Sequence, residues 1–359
     1  MSTTAHIVHQ VTKQVFGDDT DLVQELFDFV VLDESSQVPV DLSLRPLSLI
    51  KQNAQVVIAG DHLQMPPIHS LSPPKGAEHL VGSIQTYLIE RFNIKQEHLL
   101  VNYRSNQGLV DFAKSLGYPP ELHAFKPGKQ LHATKPIEEI ADSLPPSLPA
   151  TRAYQELLVP ERVVTALIHD DPISSQANEL EAKLVAGIAY CLHHGFSKNL
   201  DGDDETLFDE FDDQTFFAEG IGIVTPHKAQ KALVFRELKA VFPETDPELI
   251  YAAVDTVERF QGGERQTIIV SFGVGDTDVI EGEEAFLLQM ERTNVAVSRA
   301  KAKSIVIMPK SLAYHLPSDQ EAAETSVALK SYMEEFCEHR LSTTISTTEA
   351  SRVAEVRWH

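Results

Sequence analysis

Sulfur is scarce in this chain, with two cysteines, Cys191 and Cys337, among 359 residues. Two thiols build neither a disulfide framework nor a cysteine-rich metal cluster, and they point to a reducing compartment. Long apolar runs are missing too, so no stretch reads as a membrane-spanning helix. The N-terminus lacks the basic-then-apolar pattern of a secretion signal. The expected setting is cytoplasmic, or nuclear in a eukaryote. Positive charge is the third shortage: 30 Lys and Arg face 53 Asp and Glu, a formal net charge of −23. Such a balance excludes broad electrostatic attraction to nucleic acid, because neutralising phosphates needs Lys and Arg at the contact surface. A locally neutral or basic channel remains compatible, since much of the acid is concentrated between Asp201 and Asp213, which reads as a solvated insertion. Finally, Gly-x-x-x-x-Gly-Lys-Ser/Thr is absent from these residues. The one Gly-Lys pair, Gly128-Lys129, is followed by Gln130 and has no glycine at the required spacing.

What is present begins with an apolar run, Phe29 to Leu32, that stops at Asp33-Glu34. A short, β-branched, uninterrupted run reads as a strand buried on both faces of a parallel sheet. The acids then sit at its carboxyl tip, where open α/β sheets place their ligand crevice. A paired Asp-Glu there suits Mg²⁺ binding and water activation in phosphoryl transfer, and a strand end with a helix cap is the plain alternative. Gln55 to Ala59 reads as a second buried strand, which runs into Gly60-Asp61-His62-Leu63-Gln64-Met65-Pro66-Pro67.

Together, Asp-Glu-x-x-Gln (Asp33 to Gln37) and Gly-Asp-x-x-Gln-x-x-Pro (Gly60 to Pro67) resemble motifs II and III of the superfamily 1 helicases, in the group of the nonsense-mediated-decay RNA helicase and its DNA-acting relatives. The resemblance implies that Asp33 holds Mg²⁺, that Glu34 polarises the attacking water, that Gln37 meets the nucleotide and that Gln64 senses the γ-phosphate. Thr3 and Thr4 lie in a segment similar to motif Ic, whose hydroxyls touch the nucleic-acid backbone; a capped N-terminal helix explains the same residues.

Further motifs follow in order. Tyr103-Arg104 matches motif IV, which implies an Arg104 that reaches the γ-phosphate. Thr225-Pro226-His227 resembles Thr-Pro-Tyr-x-x-Gln and implies nucleic-acid contact, with His227 where an aromatic ring is usual. Val254 to Glu264 closely matches motif V: Thr256 is implied at a nucleic-acid phosphate, and Gln261, Gly262, Gly263 and Glu264 at the nucleotide. Arg292 to Lys301 matches motif VI, with Arg299 as the arginine finger and Arg292 ordering the nucleotide cleft. Asn178 with Glu181 has the spacing of a capping box, which accounts for both without chemistry.

The expected fold is α/β: two RecA-like P-loop NTPase domains with parallel sheets, the first only partly present. Residues 1–95 read as the back half of the first domain. Residues 96–312 read as the second, with a Pro-rich irregular insertion at 118–172 and an acidic insertion at 199–216. Residues 313–359 read as a C-terminal helix around 327–336 and a Ser/Thr-rich mobile tail. The resemblance implies an ATP-dependent helicase or translocase on single-stranded DNA or RNA, with ATP and Mg²⁺ as cofactors. The absent phosphate loop implies an upstream segment or a separate polypeptide that supplies it, and negligible hydrolysis by these residues alone. The other reading is a non-catalytic, helicase-derived nucleic-acid-binding or interaction module.

Overall fold

The computed structural model describes residues 25–67, 82–201, 208–257, 263–318, 320–348 and 350–359, with positions 10, 13, 14, 76, 80, 206 and 260. Thr3, Thr4, Gln261 and Gly262 lie outside the described residues. The chain divides into two units, Met1–His98 and Leu99–His359.

In the first unit, β1 (Phe27–Leu32) and β2 (Ile50–Ile58) pair in parallel. They are joined through α1 (Val40–Leu47) and followed by α2 (Ile84–Phe92), whose Ser83 side chain caps the helix by accepting from Thr86 N. Burial on both faces is not met here. Phe29 and Val31 are 53% and 52% exposed, because the described part of this sheet has two strands and too few neighbours to cover them.

The second unit is built on seven strands in the order β10-β11-β5-β9-β8-β6-β7. β5 (Val164–His169), β6 (Ile221–Thr225), β7 (Val254–Thr256), β8 (Arg265–Ser271) and β9 (Ala300–Pro309) run parallel, while the hairpin of β10 (His339–Ser346) and β11 (Ser351–Trp358) adds antiparallel to β5. A two-strand pairing of β3 (Val101–Asn102) with β4 (His123–Ala124) stands apart from this sheet. The helices used below are α3 (Gln107–Ser115), α4 (Glu179–Gly195), α5 (Lys228–Val241), α6 (Met290–Ser298), α7 (Lys310–Ala313) and α8 (Gln320–Lys330). The parallel strands are almost wholly buried, and α4 packs Leu184, Val185, Ile188 and Leu192 into the core around them.

Four sequence expectations change. Residues 118–172 are not an irregular excursion: they carry helices at Ile137–Asp142 and Ala153–Leu157, and then β5, a buried central strand. The acidic insertion at 199–216 is not solvated throughout, since Phe211 and Phe216 enter the core with Phe217 just beyond it. The helix placed around 327–336 is α8 at Gln320–Lys330, continued by a wider turn at Ser331–Phe336. The mobile tail is the β10–β11 hairpin, ordered because β11 registers Ala354 to Trp358 against His169 to Thr165.

Candidate functional site

In the first unit the two strand ends are laced together. Ala59 N donates to Leu32 O and Ser35 N to Ala59 O, both at 2.9 Å. Gln85 Nε2 on α2 donates to Gly60 O at 3.1 Å. A Cβ at Gly60 would lie 2.5 Å from Ser35 Oγ and 2.8 Å from Ser36 N, so the approach of the two tips requires glycine. Glu34 adopts left-handed φ and ψ of 51° and 38°, a conformation that strains a residue with a side chain and recurs at functional sites. Its N–H donates to Asp33 Oδ1 at 2.9 Å, and Gln37 Nε2 donates to Glu34 Oε2 at 3.2 Å. Asp61 accepts from Leu63 N at 3.1 Å and from Gln64 Nε2 at 2.9 Å. The Asp-Glu-x-x-Gln and Gly-Asp-x-x-Gln residues thus form two hydrogen-bonded turns at the carboxyl ends of adjacent parallel strands. Asp33 itself is exposed.

In the second unit, the polar residues separate to opposite ends of one sheet. At the amino end of β8 and β9, Arg104 donates from Nε to Glu264 Oε2 at 2.9 Å and from Nη1 to Ser298 O at 3.1 Å. Lys301 Nζ lies 2.8 Å from Glu264 Oε1. The hydrogen bond from Lys301 holds the Glu264 carboxyl below the usual carboxylate range, against partial burial, and Arg104 adds to it. Arg299 is buried at the start of β9, and its carbonyl accepts from Arg265 N at 3.1 Å. The motif IV segment is stitched onto this strand: Ser105 Oγ donates to Ala300 O at 2.7 Å, and Asn106 Nδ2 to Ala302 O at 2.9 Å. Lys129 Nζ donates to the carbonyls of Tyr103 and Arg104, and burial lowers its pKa below the ordinary lysine value. Arg104 and Glu264, given separate roles in the sequence reading, are partners here. The motifs imply no role for Lys301 or Lys129, although Lys301 sits two residues after Arg299.

The carboxyl end carries the other set. Thr225 and Thr256 end adjacent parallel strands in register, side by side on one face; both are buried, and the Thr225 hydroxyl donates to His227 O at 3.2 Å. Pro226 follows, and then His227, whose Nε2 lies 3.1 Å from Glu283 Oε2, within ion-pair range but out of line for a hydrogen bond. The His227 ring faces Phe286 at 5.5 Å. Burial holds His227 below its ordinary 6.5, with Arg292 adding to the effect and Glu283 opposing it. Arg292 lies on this side too: its guanidinium is 4.0 Å from the Phe286 ring centroid, its Nε donates to Gln289 Oε1 at 2.9 Å, and with Pro226 it lines an apolar cavity of about 20 Å³. Arg292, read as a nucleotide-site residue, therefore sits against the residues read as nucleic-acid contacts. The reason is helical: α6 carries it about 9 Å along the axis from Ser298, at ~1.5 Å per residue.

Beneath this end lies a buried network. Asn178 accepts from Glu181 N as expected of a cap, but the Glu181 side chain does not return the bond. It accepts instead from Ser271 Oγ (2.7 Å) and Gly273 N (2.9 Å), and it meets His169 Nε2 (2.9 Å) with no exposed surface. Gln230 of α5 donates to Ser271 Oγ at 2.8 Å and accepts from Asn178 N at 2.7 Å. The partners of Glu181 stand up to 92 residues away, so spacing alone had no means of finding them.

A family model described as AAA domain matches residues 81–311, more than half of the chain. Among curated proteins, the chain is 28% identical over 288 residues to the DNA replication ATP-dependent helicase/nuclease dna2 of Schizosaccharomyces pombe, covering 78% of this chain and 18% of that protein. It is 26% identical over 321 residues to DNA-binding protein SMUBP-2 of Mesocricetus auratus, covering 89% of this chain and 27% of that one. An uncharacterized ATP-dependent helicase of Methanocaldococcus jannaschii is 26% identical over 282 residues, with 78% and 36% covered. The chain thus spans little more than a third, at most, of these relatives. No helix among the described residues is long and apolar enough to cross a membrane.

Proposed function

Because the chain belongs to this AAA-domain family, as a superfamily 1 helicase-type member of the nonsense-mediated-decay helicase group, we propose that it serves as motor machinery of an ATP-dependent helicase or translocase on single-stranded nucleic acid. One observation carries the reading: Glu264, Arg299 and Lys301, with Arg104 bonded to Glu264, gather at the amino end of one sheet, while Thr225 and Thr256 close adjacent strands at its carboxyl end. One rigid element is then in a position to answer both a phosphate chain and a nucleic-acid backbone.

The site fits Mg²⁺ of the kind that travels with a nucleotide. Mg²⁺ is commonly held by one or two carboxylates together with phosphates and waters, not by an all-protein cage. Asp33 is an exposed carboxylate that spends Oδ1 on Glu34 N, and the described residues hold no cluster of three metal-ligating side chains. Asp33 would hold the ion, which when bound neutralises charge on the β- and γ-phosphates. Glu34 takes the proton of a water that attacks the γ-phosphorus as the bond to the β-phosphate oxygen breaks, and its strained backbone aims the carboxylate. Gln64, tied to Asp61, orients toward the γ-phosphate. Arg104 and Arg299 stabilise the charge of the transition state, which for Arg104 requires release from Glu264; that carboxylate then passes to the ribose. Thr256 and Thr225 meet the nucleic-acid backbone without reading bases, as they would for DNA or RNA, which for Thr225 requires release of its hydroxyl from His227 O. The names of two relatives make DNA the first polymer to try.

The test is hydrolysis of ATP by the polypeptide as its own cell makes it, with and without single-stranded DNA or RNA. Strand-stimulated turnover that falls roughly 10³-fold or more in Arg299→Ala supports the reading. Turnover indifferent to both strands contradicts it. The second reading, a non-catalytic helicase-derived binding or interaction module, is favoured by one observation: Glu264 already neutralises Arg104 and Lys301. Strand binding without any hydrolysis by that native polypeptide would select it.

A further inference from the structure

The carboxyl end of the sheet does not stop at Thr225 and Thr256. Following the strand order across β6, β8, β9 and β5, the next loops are Phe272 to Gly275, then Lys310-Ser311, then Asp170-Asp171-Pro172. Between the last two opens a cavity of about 340 Å³, lined by Asp170, Asp171, Pro172, Lys310, Ser311 and Tyr314. It belongs to none of the motifs read from the sequence.

The cavity is built, not incidental. Asp171 is buried and fully engaged: Oδ1 accepts from Ile173 N at 3.0 Å and Ser174 N at 3.3 Å, and Oδ2 accepts from Ser174 Oγ at 2.9 Å and Asn178 Nδ2 at 2.6 Å, with Arg352 at 3.4 Å. Ser311 Oγ donates to Gly275 O at 2.5 Å, and a Cβ on Gly275 would stand 2.0 Å from Asp171 O, so the loops after β5, β8 and β9 are interlocked. The buried Arg357 donates to the Tyr314 hydroxyl and fixes that ring, while 44% of Tyr314 stays exposed. Two charged groups are left uncommitted: among the described residues, the exposed Lys310 ammonium and the exposed Asp170 carboxylate make no ion pair or hydrogen bond with each other or with any neighbour. A fixed aromatic ring, a spare cation and a spare acceptor are what one nucleotide of a strand takes: a face to stack on, a charge for its phosphate, and a partner for an N–H on its base edge. The sign of Asp170 keeps phosphate to the Lys310 side.

We propose that this cavity is a nucleotide subsite in which a single strand, having crossed Thr256 and Thr225, places one phosphate at Lys310, stacks one base on Tyr314 and donates from that base's edge to Asp170. The subsite rests on the nucleic-acid reading above. It lies three strands beyond β6, about 14 Å at ~4.8 Å per strand, a span of a few nucleotides. A carboxylate acceptor favours bases with an exocyclic amino group, cytosine among them, over thymine.

The test is fluorescence anisotropy of labelled dC12 and dT12 with the full chain across a salt series. Lys310→Ala is expected to weaken dC12 binding at least fivefold and to reduce the slope of log affinity against log salt by about 0.7, the loss of one single-strand phosphate contact. Tyr314→Ala is expected to cost at least fivefold on both strands, and Asp170→Ala to narrow the preference for dC12 over dT12. If Lys310→Ala and Tyr314→Ala both bind like the wild type while Thr256→Ala binds weakly, the subsite is refuted and the nucleic-acid reading stands. If the wild type binds neither strand at low salt, that reading fails and takes the subsite with it.

Discussion

Lys303 stands in the middle of β9, the strand that begins beside Arg299 and ends beside Lys310, and it is wholly buried. Its Nζ donates to Val159 O at 2.8 Å and also to Arg162 O. Burial, with the neighbouring Arg162 charge, lowers its pKa from 10.5 to about 7. Between those values the unfolded chain binds the proton and the folded chain does not, so stability rises with pH across this window and is flat below it. The whole difference is worth about 5 kcal/mol, at ~1.36 kcal/mol per pH unit. Lys303→Met removes it. Other groups titrate nearby, including Cys191 and Cys337, whose thiols burial pushes up to about 12 and which therefore act in the opposite direction at higher pH. They are common to both proteins and cancel in the difference. The expected result is that wild type gains about 1.4 kcal/mol on Lys303→Met for each pH unit from about 7.5 to 9.5. The assay is denaturant unfolding at half-unit steps, followed by the single tryptophan, Trp358, whose ring stacks under the Arg162 guanidinium at 3.8 Å. Parallel pH profiles for the two proteins would refute the argument and mean that Lys303 stays protonated in the fold.

Three further outcomes follow from the geometry. Glu181→Leu strands three polar partners, His169, Ser271 and Gly273 N, and is expected to cost about 3 kcal/mol or more, while Glu181→Gln keeps an acceptor and costs less; thermal unfolding separates the two. Gly60→Ala forces a Cβ to within 2.5 Å of Ser35 Oγ and must shift the turn that carries Asp33 and Glu34. It is expected to lower strand-stimulated hydrolysis by the native polypeptide at least tenfold while costing about 1–3 kcal/mol in stability. The 359 residues assayed by themselves are expected to hydrolyse ATP negligibly, since positioning of the phosphates supplies most of this catalysis. A clear strand-stimulated rate that disappears in Arg299→Ala would overturn that expectation.

What could be read from the sequence was what is local. β1, the Asp33-Glu34 tip and the Gly60 turn are contiguous strand-then-polar patterns, and they fold as such. β5 lies inside a Pro-rich stretch, although Val163-Val164-Thr165-Ala166-Leu167-Ile168 has the same β-branched, apolar character as the strands at Phe29 to Leu32 and Gln55 to Ala59. Its six residues are masked by the proline content of 118–172 as a whole. The β10–β11 hairpin failed for the opposite reason: its Ser/Thr content suggested a tail, while an alternating pattern, with Leu341, Thr343 and Ile345 more buried than their neighbours, was the better signal. Glu181 has the spacing from Asn178 that permits a capping box. Its actual partners lie on β5 and in the strand-end segment at β8, a relation set by tertiary packing. The pairing of Arg104 with Glu264 spans 160 residues and has no local trace.

That long-range wiring bears on how the two ends of the sheet could communicate. The amino end is tied together by Arg104, Glu264 and Lys301 across β8 and β9, and the motif IV segment is bonded directly to the β9 backbone. The carboxyl end is tied by Glu181, which clamps β8 to β5 through Ser271, Gly273 and His169, across β9 between them. Between these clamps β8 and β9 pair continuously from Thr267 to Ser271, after a register shift at Gln266, and are almost wholly buried. A close-packed sheet held at both ends resists internal shear, because shifting one strand would break buried hydrogen bonds at each clamp. A displacement at Glu264 or Arg299 would therefore move the sheet as one body, Thr225, Thr256 and Lys310 with it. The soft elements are the side chains: Arg104, bonded to Glu264, and His227, whose pKa burial holds below its ordinary value beside Glu283, Phe286 and Arg292.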